Sequence, residues 1–165
     1  MPQKVTRLFF ALIIFQLFML CSYAQPLNQK KAFSRADTLR GTNGPGRIKW
    51  DVLHYEITVE PDYTTKTITG KNTISFQDNG VTLMQIDLQQ PMQIDSIVKD
   101  GKSFPFSREG NVYWARLRED HETINFSTIQ STLTVYFQGK PREAVRPPWD
   151  GGWIWKKDKN NNPWM

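Results

Sequence analysis

The chain has 165 residues, a formal charge of +5 and a single cysteine. That length is one domain's worth and enough for a substantial core. One cysteine excludes a disulfide framework, and a mild positive surplus that is not gathered on a helix gives no footprint for nucleic acid.

Lys4 and Arg7 precede Leu8 to Leu20, where Gln16 is the one polar side chain, and Ser22-Tyr23-Ala24 follows. This is the pattern of a cleaved secretory signal over residues 1–24, cut between Ala24 and Gln25. The rival readings are a membrane anchor and a lipoprotein signal at Cys21. Spanning needs about 20 apolar residues, more than this stretch has, and Leu20 is bulky for the position before a lipidated cysteine. Cleavage leaves 141 residues with no cysteine, no membrane span and a charge of +3. The protein is thus expected to be exported to the periplasm, the cell surface or the medium.

Residues 25–49 are polar and turn-rich, ending in Gly41-Thr-Asn-Gly-Pro-Gly46, and read as a flexible leader. From Trp50 a two-residue period sets in. Leu53, Tyr55, Ile57 and Val59 alternate with His54, Glu56, Thr58 and Glu60, which predicts a half-buried strand closed by Pro61-Asp62. Thr67 to Phe76 alternates again, with Ile68, Ile74 and Phe76 on its apolar face. Further strands are predicted at Val81–Leu88, Met92–Val98, Val112–Leu117, Thr123–Phe126 and Thr132–Phe137. Asp100-Gly101 is a hairpin signal because both positions tolerate positive φ, and Glu109-Gly110-Asn111 marks another turn. No convincing amphipathic helix and no repeat is found. Short strands at this spacing predict an all-β fold, an antiparallel, saddle-like or sandwich domain over residues 50–141. Its expected core comprises Leu53, Tyr55, Ile57, Val59, Ile68, Ile74, Phe76, Leu83, Ile86, Leu88, Leu133, Val135 and Phe137.

Two motif fragments carry no chemistry. His121-Glu122-Thr123-Ile124-Asn125 opens like H-E-x-x-H, but Asn125 stands at the second histidine and the β-branched pair suits a strand. Asp158-Lys159-Asn160-Asn161-Asn162 opens like a calcium loop, but Pro163 stands where that loop requires glycine, so a hairpin turn is expected. With no cysteine nucleophile, Gly-x-Ser-x-Gly elbow or phosphate loop, the chain offers no catalytic, cofactor-binding or metal-ligating residue.

Residues 142–165 hold four of the six tryptophans. Trp149, Trp153, Trp155 and Trp164 are the candidate interface or ligand aromatics, because a tryptophan needs a core or a ligand to cover it. Trp153, Ile154 and Trp155 are expected to pair with Trp164 and Met165 across a turn at residues 158–162. The extension reads as truncated and incompletely covered, so the chain is expected to be the front of a longer protein. A different class, a secreted carbohydrate-binding or adhesive β module, would instead stack sugar rings on the same tryptophans.

The run W-D-V-L-H-Y-E-I-T-V-E-P-D from Trp50, with T-I-T-G-K-N-T-I-S-F from Thr67, resembles the opening hairpin of the aminopeptidase N family of zinc metallopeptidases. Ile86-Asp87-Leu88 and Leu133 to Pro141 match later segments of that family. Pro147-Pro148-Trp149-Asp150-Gly151-Gly152 is similar to a branch of secreted bacterial members, and the likeness covers about residues 47–165. It implies a non-catalytic β domain in front of a catalytic domain that carries zinc on H-E-x-x-H. The downstream domain would be this chain's partner, the full-length enzyme would take peptides as substrates, and this chain alone would be inactive.

Overall fold

Two of the hairpin turns in this domain take left-handed backbone where the sequence predicts it. Asp100 and Gly101 take φ of 52° and 73°, and Gly110 takes 62°. The computed structural model describes residues 32–118 and 129–165. The export signal at 1–24, His121 and the candidate strand Thr123–Phe126 lie outside those residues.

Ten strands follow in chain order: β1 (Trp50–Asp62), β2 (Thr67–Asp78), β3 (Leu83–Asp87), β4 (Gln93–Lys99), β5 (Lys102–Ser103), β6 (Phe106–Glu109), β7 (Val112–Arg116), β8 (Ile129–Gly139), β9 (Lys156–Lys157) and β10 (Pro163–Trp164). They form a five-stranded sheet in the order β1-β2-β8-β4-β5, a three-stranded sheet β3-β7-β6 and the pair β10-β9. Every strand pairing in these sheets is antiparallel. The all-β, antiparallel expectation is thereby met.

The two larger sheets enclose the main core. Ile74, Phe76, Ile97, Leu133 and Val135 from the large sheet meet Met84, Tyr113 and Ala115 from the small one, with Val81 and Leu117 beside them. Trp50 closes one end with its ring edge on Phe76, centroids 5.9 Å apart. Leu83, Ile86, Leu88 and Phe137 are half-buried around these contacts.

The expectation that Leu53, Tyr55, Ile57 and Val59 are buried is wrong: they are 48%, 49%, 61% and 39% exposed. The register of β1 on β2 slips between Val52 and His54, and beyond the slip Tyr55 faces Ile74, Ile57 faces Asn72 and Val59 faces Gly70. Directly paired residues share a sheet face. Tyr55, Ile57 and Val59 therefore point to the core side of the sheet but extend past the cover. Alternation reports which face a residue takes and is silent on what lies over that face.

The leader also departs from expectation. From Ser34 the chain turns into a helix, α1 (Arg35–Gly41), with a capping box between Ser34 and Asp37. Ser34 Oγ accepts from the Asp37 N–H, and the Asp37 carboxylate accepts from the Ser34 N–H at 3.0 Å. Leu39 is buried, and its carbonyl accepts a hydrogen bond from Gln85 Nε2 at 3.0 Å. Gly46 continues this contact, because a Cβ there would stand 2.6 Å from the Trp114 ring and 2.9 Å from Gln85 Cβ. Residues 34–49 thus pack on the small sheet.

Candidate functional site

The C-terminal arm begins where Arg142 turns the chain out of β8. Trp153 N donates to Arg142 O and Ala144 N to Trp153 O, at 2.8 and 3.0 Å, closing residues 142–153 into a loop. Asp150 anchors the loop by accepting from Val145 N at 2.7 Å, with Arg142 Nη2 at 3.5 Å. The Val145 N–H holds the Asp150 carboxyl below the ordinary aspartate range, against the opposing effect of burial. Gly151 and Gly152 follow with φ of 64° and 112°. At Gly152 a side chain is excluded twice, by that φ and by Arg142 O, 2.7 Å from where a Cβ would be.

Beyond the glycines Trp153 stacks on Trp155, with centroids 5.3 Å apart and planes inclined at 20°. Trp155 is buried against Ile68 and Met92 and takes the Tyr63 ring edge-on at 6.0 Å. Tyr63 Oη donates to Lys156 O at 2.9 Å, and Lys66 pairs with Glu143 at 3.4 Å. The end of β1 and the start of β2 therefore hold the arm. Trp155 Nε1 is buried with no hydrogen-bond partner.

The arm ends in the expected hairpin, shorter than the residues proposed for it. Only Lys156 and Lys157 pair with Trp164 and Pro163. Asp158 accepts from the N–H groups of Asn160 and Asn162, both at 2.8 Å, and Asn161 takes φ of 68°. The carboxylate that resembled a calcium ligand is thus engaged by three donors, Asn162 Nδ2 being the third. Its pKa is lowered, the Asn162 N–H being the largest cause.

The four candidate tryptophans have different fates. Trp155 is buried and Trp153 half-buried, whereas Trp149 is 89% and Trp164 56% exposed. Met165 and Val145 are exposed beside them in sequence. Trp153 and Trp155 lie together and cover each other.

A second feature was not legible in the sequence. A cleft of about 470 Å³ opens between the edge strands β1 and β3, lined by Arg47, Trp50, Tyr55, Ile57, Asn72 and Ile86 among others. Arg47 is paired with Asp87 at its rim. Asn72 Oδ1 is buried there with no partner. The signal that could have found it is the slip at Leu53, which needs the partner strand to be known.

Among the described residues no group of three or more His, Cys, Asp or Glu could hold a metal ion. His54, the one histidine among the described residues, is exposed on β1 opposite Ser75. The family resemblance assigns its zinc to a separate catalytic domain, and no chemical step is assigned to the described residues. Among the described residues no helix is long and apolar enough to cross a membrane.

No family model and no curated protein matches the chain. Among solved structures it is similar to a point mutant of the M1 zinc metallopeptidase from Deinococcus radiodurans, bound to a Tyr-Ser-Ala substrate. The identity is 17% over 62% of this chain and 23% of that one, with a TM-score of 0.46. A second structure of that mutant gives 16% identity, the same coverage and a TM-score of 0.46. Native yeast LTA4 hydrolase is 15% identical over 55% of this chain and 14% of that one, with a TM-score of 0.44. The chain spans less than a quarter of the length of these structures.

Proposed function

We propose that this chain is the N-terminal, non-catalytic β module of an exported zinc-dependent aminopeptidase. In this reading the H-E-x-x-H catalytic domain follows Met165 in the same polypeptide. That domain binds the zinc, and the full-length protein removes N-terminal amino acids from peptides. The sequence motifs of Trp50–Asp62, Thr67–Phe76 and Leu133–Pro141 support the family. The observation that carries the role of this chain is the half-docked arm. Trp155 and Tyr63 fasten it to the module, while Val145, Trp149, Trp164 and Met165 stay in water. Covering one such tryptophan removes roughly 150–250 Å² from water, so an adjoining domain gains by packing on this arm.

The test compares residues 25–165 with the product of the uninterrupted reading frame, each purified without its signal. The longer product is expected to retain stoichiometric zinc through dialysis and to release N-terminal amino acids in a chelator-sensitive way. Residues 25–165 are expected to do neither. A frame that continues without H-E-x-x-H, or zinc-dependent turnover by residues 25–165 alone, overturns the proposal. Protection of Trp149 and Trp164 by an added oligosaccharide, seen as a blue-shifted emission, would favour the carbohydrate-binding module instead.

A further inference from the structure

Strand β1 is the end strand of the large sheet, and among the described residues it pairs with β2 alone. It is 13 residues long, and every residue from Leu53 to Asp62 is exposed. A long, uncapped edge that carries an apolar stripe is an open template for one more strand. Charge on the opposite face restricts what that strand can be. His54, Glu56, Thr58 and Glu60 lie there, opposite Ser75, Thr73, Lys71 and Thr69. Lys71, diagonal to both glutamates, is the one cation that β2 offers two carboxylates.

A second copy of β1 fits this edge poorly. Antiparallel self-pairing centred on Ile57 sets Ile57 against itself and Tyr55 against Val59. It also sets His54 opposite Glu60, but places each Glu56 diagonal to the glutamates of the other copy, within reach of like-charge repulsion. Centring on Glu56 or Thr58 sets glutamates directly opposite one another.

We infer that β1 is completed by an added β-strand from the catalytic part of the same polypeptide, apolar toward the cleft and basic toward Glu56 and Glu60. This inference rests on the two-part polypeptide proposed above. The stripe is continuous with the arm that the same domain would cover, because Tyr63 and Ile68, at the Asp62 end of β1, contact Trp155. The added strand's inward side chains would flank Tyr55, Ile57 and Val59 and extend the apolar face beside the cleft.

Amide hydrogen exchange across residues 54–61 tests it, in residues 25–165 and in the full-length protein. Alternate amides of an edge strand face away from the sheet. Those of β1 should exchange rapidly in residues 25–165 and slow by about 100-fold or more in the full-length protein. Equal, rapid exchange in both overturns the inference. Slow exchange in residues 25–165 alone, with a sedimentation mass that doubles as concentration rises, overturns it in favour of a second copy. In the full-length protein, Glu56→Lys with Glu60→Lys should speed exchange again by about tenfold, and unchanged rates overturn the basic character of the strand. Protection without aminopeptidase activity removes the proposed function and leaves the added strand. Activity without protection removes the strand and leaves the function.

Discussion

Strands β1 and β2 are paired through twelve residue pairs and carry the same alternation, yet one is core and the other is surface. Ile68, Ile74 and Phe76 of β2 are buried, whereas Tyr55, Ile57 and Val59 on the same face of β1 are exposed. The difference lies above the sheet. The core between the two sheets takes in Ile74 and Phe76 of β2 but, of β1, Trp50 and Val52 before the slip, while Ile68 is covered by Met92 and Trp155. A strand's apolar period is a capacity for burial, and the neighbouring layer decides whether that capacity is used.

Paired substitutions in residues 25–165 can break this contrast. Phe76→Ala, at a fully buried ring, should cost about 3–5 kcal/mol in denaturant unfolding. Ile57→Ala should stay within about 0.5 kcal/mol, as exposed sites do. A large loss at Ile57 would mean that β1 is covered in this chain after all. The tryptophans repeat the contrast: Trp155→Ala should cost about 3 kcal/mol, and Trp149→Ala should leave the unfolding midpoint unchanged.

Gly70→Ala probes the seam between the two strands. A Cβ there would lie 2.5 Å from the Thr58 carbonyl and 2.8 Å from the Phe137 ring. It must push β1 away or displace the ring, at about 1–3 kcal/mol, with faster amide exchange in β1 than in β8. Uniform loosening of both strands would place the strain elsewhere.

The smallest expected effect is at Asp158. Hydrogen bonds from Asn162 and Asn160 lower its folded pKa, so the turn's contribution is whole above the ordinary aspartate value and disappears as the pH falls through the lowered one. Acid should therefore loosen the β9–β10 hairpin, seen as red-shifted Trp164 emission, and Asp158→Ala should do so at neutral pH. A hairpin indifferent to both would mean that Pro163 and the strand pairing hold it without the carboxylate.

The turns were the most legible part of the fold. Asp100-Gly101, Gly110 and Asp158–Asn162 bend as their residue types require, because positive φ and side-chain acceptance of nearby N–H groups are local properties. Helix α1 was missed although Ser34-Arg35-Ala36-Asp37 carries a capping box, since seven residues are too few to show an apolar period. At the site, the tryptophans could be recognised as needing cover. Which of them finds it inside the chain depends on Ile68 and Met92, far away in sequence.

Local chemistry thus settles the all-β class, the hairpin turns and the glycine-dependent loop after Asp150, each through the φ or the period of a few adjacent residues. The buried Trp155, the exposed Trp149, the slip at Leu53 and the bare flank of β1 follow from how two sheets of unequal width are superposed. That width is a property of contacts between distant strands, and no run of neighbouring residues encodes it.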